Sequence, residues 1–184
     1  MKKIVYLIIA VAITNITFSQ TKVYQTKTGK IKFFSSTKAE DIEAVNNQAD
    51  VKFATNGQLV FTVLIRGFVF PNALMQEHFN ENYMESASFP KAKFMGTIDN
   101  LAAINFSKNG KYNITTSGSI EIHGVKQNLK NVAGTVEVVD GKIKLNSKFK
   151  IKVKDFGIKG NYIGEKIANE IDITIDCTLN WLQF

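Results

Sequence analysis

Few side chains in this sequence could do covalent or acid–base work. It has two histidines, His78 and His123, and one cysteine, Cys177. A metal centre or a general base would want further His, Asp or Glu at matched spacing, and neither histidine sits in such a cluster. No Gly-rich phosphate loop, nucleophile elbow or spaced Cys–His pair occurs. Cys177 lies in an alternating apolar series, where a small buried hydrophobe is the ordinary reading. The expectation is therefore a protein without catalytic residues, metal ligands or cofactor. The apolar side is richer, with 14 Phe against one Trp. An interior of that kind makes few hydrogen-bonding demands and suits a hydrocarbon chain. A site for such a ligand needs a dry tube, a mouth and one or two polar groups. Each CH₂-sized unit drawn out of water then contributes about 0.8 kcal/mol.

Period-two alternation supplies the walls. Ile171, Ile173, Ile175, Cys177, Leu179 and Trp181 point one way, and Asp172, Thr174, Asp176, Thr178 and Asn180 the other. Ile143, Leu145, Ser147, Phe149, Ile151 and Val153 alternate with Lys142, Lys144, Lys148, Lys150, Lys152 and Lys154. Asp140-Gly141 joins that run to Val136 and Val138 as a hairpin. Weaker alternation predicts strands at 31–34, 51–54, 59–65, 92–98, 102–106 and 112–122, with tight turns at Asn56-Gly57 and Asn109-Gly110. About eight such strands close into an antiparallel barrel whose interior just admits side chains or one slender ligand. One helix is expected between Pro71 and Met84. Met75, Phe79 and Tyr83 form its apolar stripe with Leu74 beside it, and Ser88-Phe89-Pro90 ends it.

On this reading Phe33, Phe61, Phe94, Phe106 and Phe149 line the tube. Val63, Ile65, Phe68, Ile120 and Ile151 share it, and Leu74, Met75, His78, Phe79 and Tyr83 come from the helix. The same parity fits a barrel that its own side chains fill. His78 beside Glu77, with Tyr83 and Arg66, could meet a headgroup. The lysines of the 142–154 run read as a solvated outer face that discourages aggregation, or as attraction to an anionic membrane surface. Turned inward, as in an outer-membrane barrel, they would need an acidic row that the other strands do not offer. Lysine on one strand with almost no arginine gives no nucleic-acid readout surface.

Residues 1–19 read as a signal peptide. Lys2 and Lys3 precede the apolar run Ile4–Ile13, and Thr17-Phe18-Ser19 offers small residues for cleavage before Gln20. The run is short for a membrane span, and no lipoprotein cysteine follows it. Residues 20–184 then form a single domain, soluble in the periplasm or the medium, with no internal disulfide from one cysteine.

Four segments, in order, resemble the YceI-like family of exported barrel proteins. They are Gly29–Ser36 leading into Glu40–Ala44, the helix with Phe89–Phe94, Gly118–Val125 with its His-Gly-Val turn, and Phe149–Ile158. The resemblance implies a lipocalin-like fold and a lipid or polyisoprenoid ligand. Many members carry Arg-Asp-X-His-Leu entering the helix. Here the matching Met75-Gln-Glu-His78-Phe79 keeps the histidine and lacks the Arg-Asp pair. The alternative to a carrier is a packed barrel acting as a structural or stress-response partner.

Overall fold

The computed structural model describes residues 21–182; the signal peptide read at residues 1–19 lies outside them. The strands are β1 (Val23–Ser36), β2 (Asp41–Ala54), β3 (Gln58–Leu64), β4 (Phe68–Val69), β5 (Lys91–Ile98), β6 (Gly110–Ile122), β7 (Val125–Val139), β8 (Lys142–Lys152) and β9 (Glu170–Trp181). They run in the order β1-β9-β8-β7-β6-β5-β3-β2, and β2 pairs back with β1. Eight strands thus form a closed, entirely antiparallel, lipocalin-like barrel, which leaves no free end strand to template aggregation. β4 continues the line of β3 along β2 after an interruption at Ile65–Gly67. Asn46 makes that step possible. Fully buried, it donates from Nδ2 to the Leu64 carbonyl at 2.8 Å and accepts the Gln48 N–H at 2.7 Å.

One end of the barrel is packed shut. Both described chain ends, the 55–57 and 140–141 turns and the 99–109 segment gather there by strand direction. Phe53, Val136, Ile143 and Leu179 have no exposure at all. Asp140 and Gly141 both take positive φ, 49° and 74°, the geometry that matches hairpin twist. Asn109 ties this turn down, its amide exchanging two 3.1 Å hydrogen bonds with Asp140.

The 102–106 segment is not a strand. Asn100 bonds Asn113 and Thr115 of β6 through its side chain, and the chain coils into a 3₁₀ turn at Leu101–Ala103. Asn109-Gly110 likewise opens β6 rather than making the turn, which falls at Phe106-Ser107. The helix falls within the expected bounds and ends before the proline. α1 spans Ala73–His78, capped by the Asn72 side chain, and widens into a π turn at Phe79–Tyr83. Glu85 then takes φ 42°, ending the helix before Ser88 is reached.

Apolar parity faces inward and the lysines of β8 face out. Cys177 is buried at 1% exposure, with Gly29 leaving room for its sulfur. Burial pushes the thiol up from its ordinary 9.0 to about 12. It stays neutral where the unfolded thiol ionises, so its contribution to stability is complete below pH 9 and is lost as pH rises from 9 towards 12. Between pH 9 and 10.5 wild type should lose up to about 1.4 kcal/mol per pH unit more than Cys177→Ala in denaturant melts. Parallel curves for the two proteins would contradict this.

Candidate functional site

The other end holds the 37–40 turn, α1, the 84–90 segment, the His123-Gly124 turn and the long 153–169 connection. Beneath them lies a cavity of about 520 Å³, within the range of ~300–1,000 Å³ common to small-molecule sites. Strands build its wall. Phe33 comes from β1, Phe61 and Val63 from β3, Phe94 from β5, Ile120 from β6, and Phe149 and Ile151 from β8. Ile65 opens the turn that interrupts β3 and Phe68 begins β4; Leu74, Met75, His78, Phe79 and Tyr83 come from the helix and its π turn. All these expected residues meet at one cavity.

Phe106 does not. It packs on Phe53 at the closed end, ring centroids 5.8 Å apart, because the 3₁₀ turn carries it into the floor. Arg66 is also elsewhere, donating from Nε to the Ser86 hydroxyl at 3.1 Å beside an outer groove. Glu77 lines that outer groove while His78 lines the cavity, so the expected Glu77–His78 pairing does not form.

Aromatic rings cluster at one side of the cavity. Phe33 lies 5.5 Å from Phe68, 5.5 Å from Phe70 and 5.4 Å from Phe79, and Phe70 and Phe79 are 5.0 Å apart. Phe33 and Phe79 stack at 23° and the other pairs are tilted or edge-on, arrangements that suit the ring quadrupoles. Phe79 reaches the cluster from the helix, so α1 is anchored by the surface it covers. Phe70 was missed in the sequence because it follows the β3–β4 interruption, where alternation loses its phase. Tyr162, Ile163 and Ile167 of the long connection also line the cavity, and their spacing follows neither strand nor helix period.

The polar groups are few: Thr116, Thr135, Asn146 and Ser147 lie in the β6–β8 wall, and the rest sit near the mouth. Burial, then nearby Tyr162, raises the Tyr83 phenol above its ordinary range, so its hydroxyl stays a neutral donor. The Tyr83 ring lies against Gly160, where any Cβ would overlap it. Ser35 is committed already, accepting the Ala168 N–H at 2.8 Å. This is a container with mostly apolar walls and sparse polar groups.

The chain matches the YceI-like domain family over residues 9–179. It belongs to the YceI-like family. No curated protein matches it. Among solved structures it resembles a polyisoprenoid binding domain from Saccharophagus degradans implicated in plant cell wall breakdown. The two share 12% identity and a TM-score of 0.76 over 89% of this chain and 100% of that one. Burkholderia cenocepacia BcnA is similar at 19% identity and TM-score 0.65, over 82% of this chain and 95% of BcnA. A Campylobacter jejuni YceI protein aligns over 100% of both chains at 16% identity and TM-score 0.56. At such identities the likeness is one of fold.

In this YceI-like barrel the second histidine is a fastener. His123, at φ 52°, places Nε2 2.7 Å from Glu85 Oε2 and Nδ1 3.3 Å from the Phe156 carbonyl, with its ring 4.4 Å from Phe89. Three separate pieces of the mouth are joined by one side chain. His123→Ala is expected to lower stability by about 1–2 kcal/mol and to speed proteolysis within residues 84–90. An unchanged melt and cleavage pattern would show that the contact fastens nothing.

Proposed function

We propose that this protein is an exported carrier that holds an isoprenoid or similar amphiphilic lipid inside the barrel and leaves it chemically unchanged. The observation that carries the reading is the apolar cavity of about 520 Å³ crossed by the Phe33, Phe68, Phe70 and Phe79 cluster. A packed structural barrel would have no use for it. The Saccharophagus domain is described as polyisoprenoid binding, and extending that ligand class to this chain is part of the proposal. Export to the periplasm or medium rests on the leader-like residues Lys2 to Ser19. Transient contact of the Lys142–Lys154 face with an anionic membrane would bring the carrier to its lipid.

Energetics make the reading testable. A five-carbon prenyl unit contributes about 4 kcal/mol on leaving water, whereas association costs on the order of 4–15 kcal/mol. One unit therefore gains nothing, and affinity should climb steeply with tail length until the cavity is full. A series of prenyl alcohols displacing a fluorescent polyene chain is expected to show that rise and then a plateau. No displacement at any length would refute the carrier reading.

A further inference from the structure

We propose that the lipid passes sideways through the wall between β7 and β8, and that lysines on that opening hold a phosphate or carboxylate headgroup. This rests on the carrier reading above and narrows its ligand to acidic amphiphiles. The wall is incomplete there. β7 and β8 pair only from Gly134–Ser147 to Val139–Lys142. Beyond that point β7 runs on to Val125 against β6, and β8 runs on to Lys152 against β9. No ladder joins 125–133 to 148–152.

The gap is framed at both ends. Ser147 Oγ donates to the Ala133 carbonyl at 2.7 Å where the ladder stops. Gln127 Nε2 donates to the Asp155 carbonyl at 2.7 Å across its far end. Leu129 and Val132 on one edge, and Phe149 and Ile151 on the other, line the cavity. So do Thr135 and Asn146, although they alternate with the buried pair Val136 and Leu145 and belong to the outer face. The cavity therefore extends between the two strands as far as this sill, where the Thr135 hydroxyl is buried without a hydrogen-bond partner.

Charge marks the opening. The β7 edge carries Lys126 and Lys130, the β8 edge Lys148, Lys150 and Lys152, and neither edge segment contains an acid. The acids stand one strand back, with Glu121 3.8 Å from Lys126 and Asp172 3.9 Å from Lys148. Asp172 and Glu170 are also the cross-strand partners of Lys150 and Lys152. Among the described residues Lys130, Lys150 and Lys152 form no ion pair within 4.0 Å. At the helix end, by contrast, the rim mixes Glu40 with Lys166 and His78 and is crowded by α1 and the long connection. Lys93 and Lys166 line the cavity singly, whereas five lysines gather along the window edges, so an acidic headgroup meets the densest matching charge there, with its tail towards the cavity. Lysine on an unpaired edge also deters pairing with another chain, but a merely protective row would be indifferent to the headgroup.

The test compares geranylgeranyl phosphate with geranylgeraniol, each bearing a diazirine beside its polar end, on detergent-free protein. The phosphate is expected to bind about tenfold tighter, with adducts mapping to 126–135 or 146–152. Lys130→Glu with Lys150→Glu should erase that preference, and a thermal melt close to wild type certifies the fold. Adducts on 72–83 or 157–167, or equal affinity for the two compounds, would overturn the proposal alone. Retention of neither compound would instead defeat the carrier reading beneath it.

Discussion

Ile175→Trp is expected to abolish most lipid uptake while leaving the barrel folded. Ile175 lines the cavity and stands between Ile31 on β1 and Ser147 on β8. Ser147 is in turn opposite Gly134, so two neighbouring wall positions carry almost no bulk. An indole extends into that empty space rather than into packed neighbours, which keeps the stability cost at the low end of overpacking. If it takes the room of about three CH₂ units, binding weakens by roughly 2.4 kcal/mol, or about 50-fold. Titration with a tail that fills the wild-type cavity measures the loss, and a thermal melt checks the fold. Wild-type affinity in a normally folded variant would mean that the tail lies elsewhere.

The second large effect is on the fold. Gly96 of β5 and Gly118 of β6 face each other in register. A Cβ built on either would run into backbone of the opposite strand and into the Phe94 ring, which lies over both positions. On the other side of β6 the pairing with β7 shifts register between Thr116 and Gly118, where β7 carries the extra residue near Asn131 at φ 53°. Paired glycines let two strands approach closely, and here they also let Phe94 lie back against the wall instead of blocking the cavity. Gly118→Val should cost more than about 3 kcal/mol, beyond the usual overpacking penalty, because backbone cannot step aside. Denaturant unfolding, or failure to recover folded protein, gives the result. In the milder Gly118→Ala, adding Phe94→Leu should restore part of the stability by removing the ring that the methyl meets. Wild-type stability in Gly118→Val would show that the close approach is not needed.

Strands were legible wherever one face is dry, as at 143–151 and 171–179, because alternation records burial directly. The helix showed through Met75, Phe79 and Tyr83, and the expected bounds, Pro71 to Met84, hold the observed Ala73–Tyr83; what was not legible is that Glu85 at φ 42°, rather than Pro90, stops it. Phe106 was misplaced because apolar residues at 104 and 106 mimic a strand. What decides that segment is Asn100 bonding to β6, a contact between elements. Most of the cavity wall was readable for the same reason as the strands, since inward parity places Phe33, Phe61, Phe94 and Phe149 together. The window was not readable. Its residues alternate like any others, and only the divergence of β7 and β8 after Ser147 separates a closed wall from an opening. The lining from Tyr162 to Ile167 was silent too, since it is held by tertiary packing and has no period.

The most direct measurement is native mass spectrometry of protein purified without detergent, followed by solvent extraction of whatever it releases. A one-to-one complex with a prenyl or related long-chain lipid is expected, shifted to apo mass by extraction and restored by adding the lipid back. An apo mass that persists after incubation with prenyl phosphates, prenols, quinones and fatty acids would contradict the carrier reading.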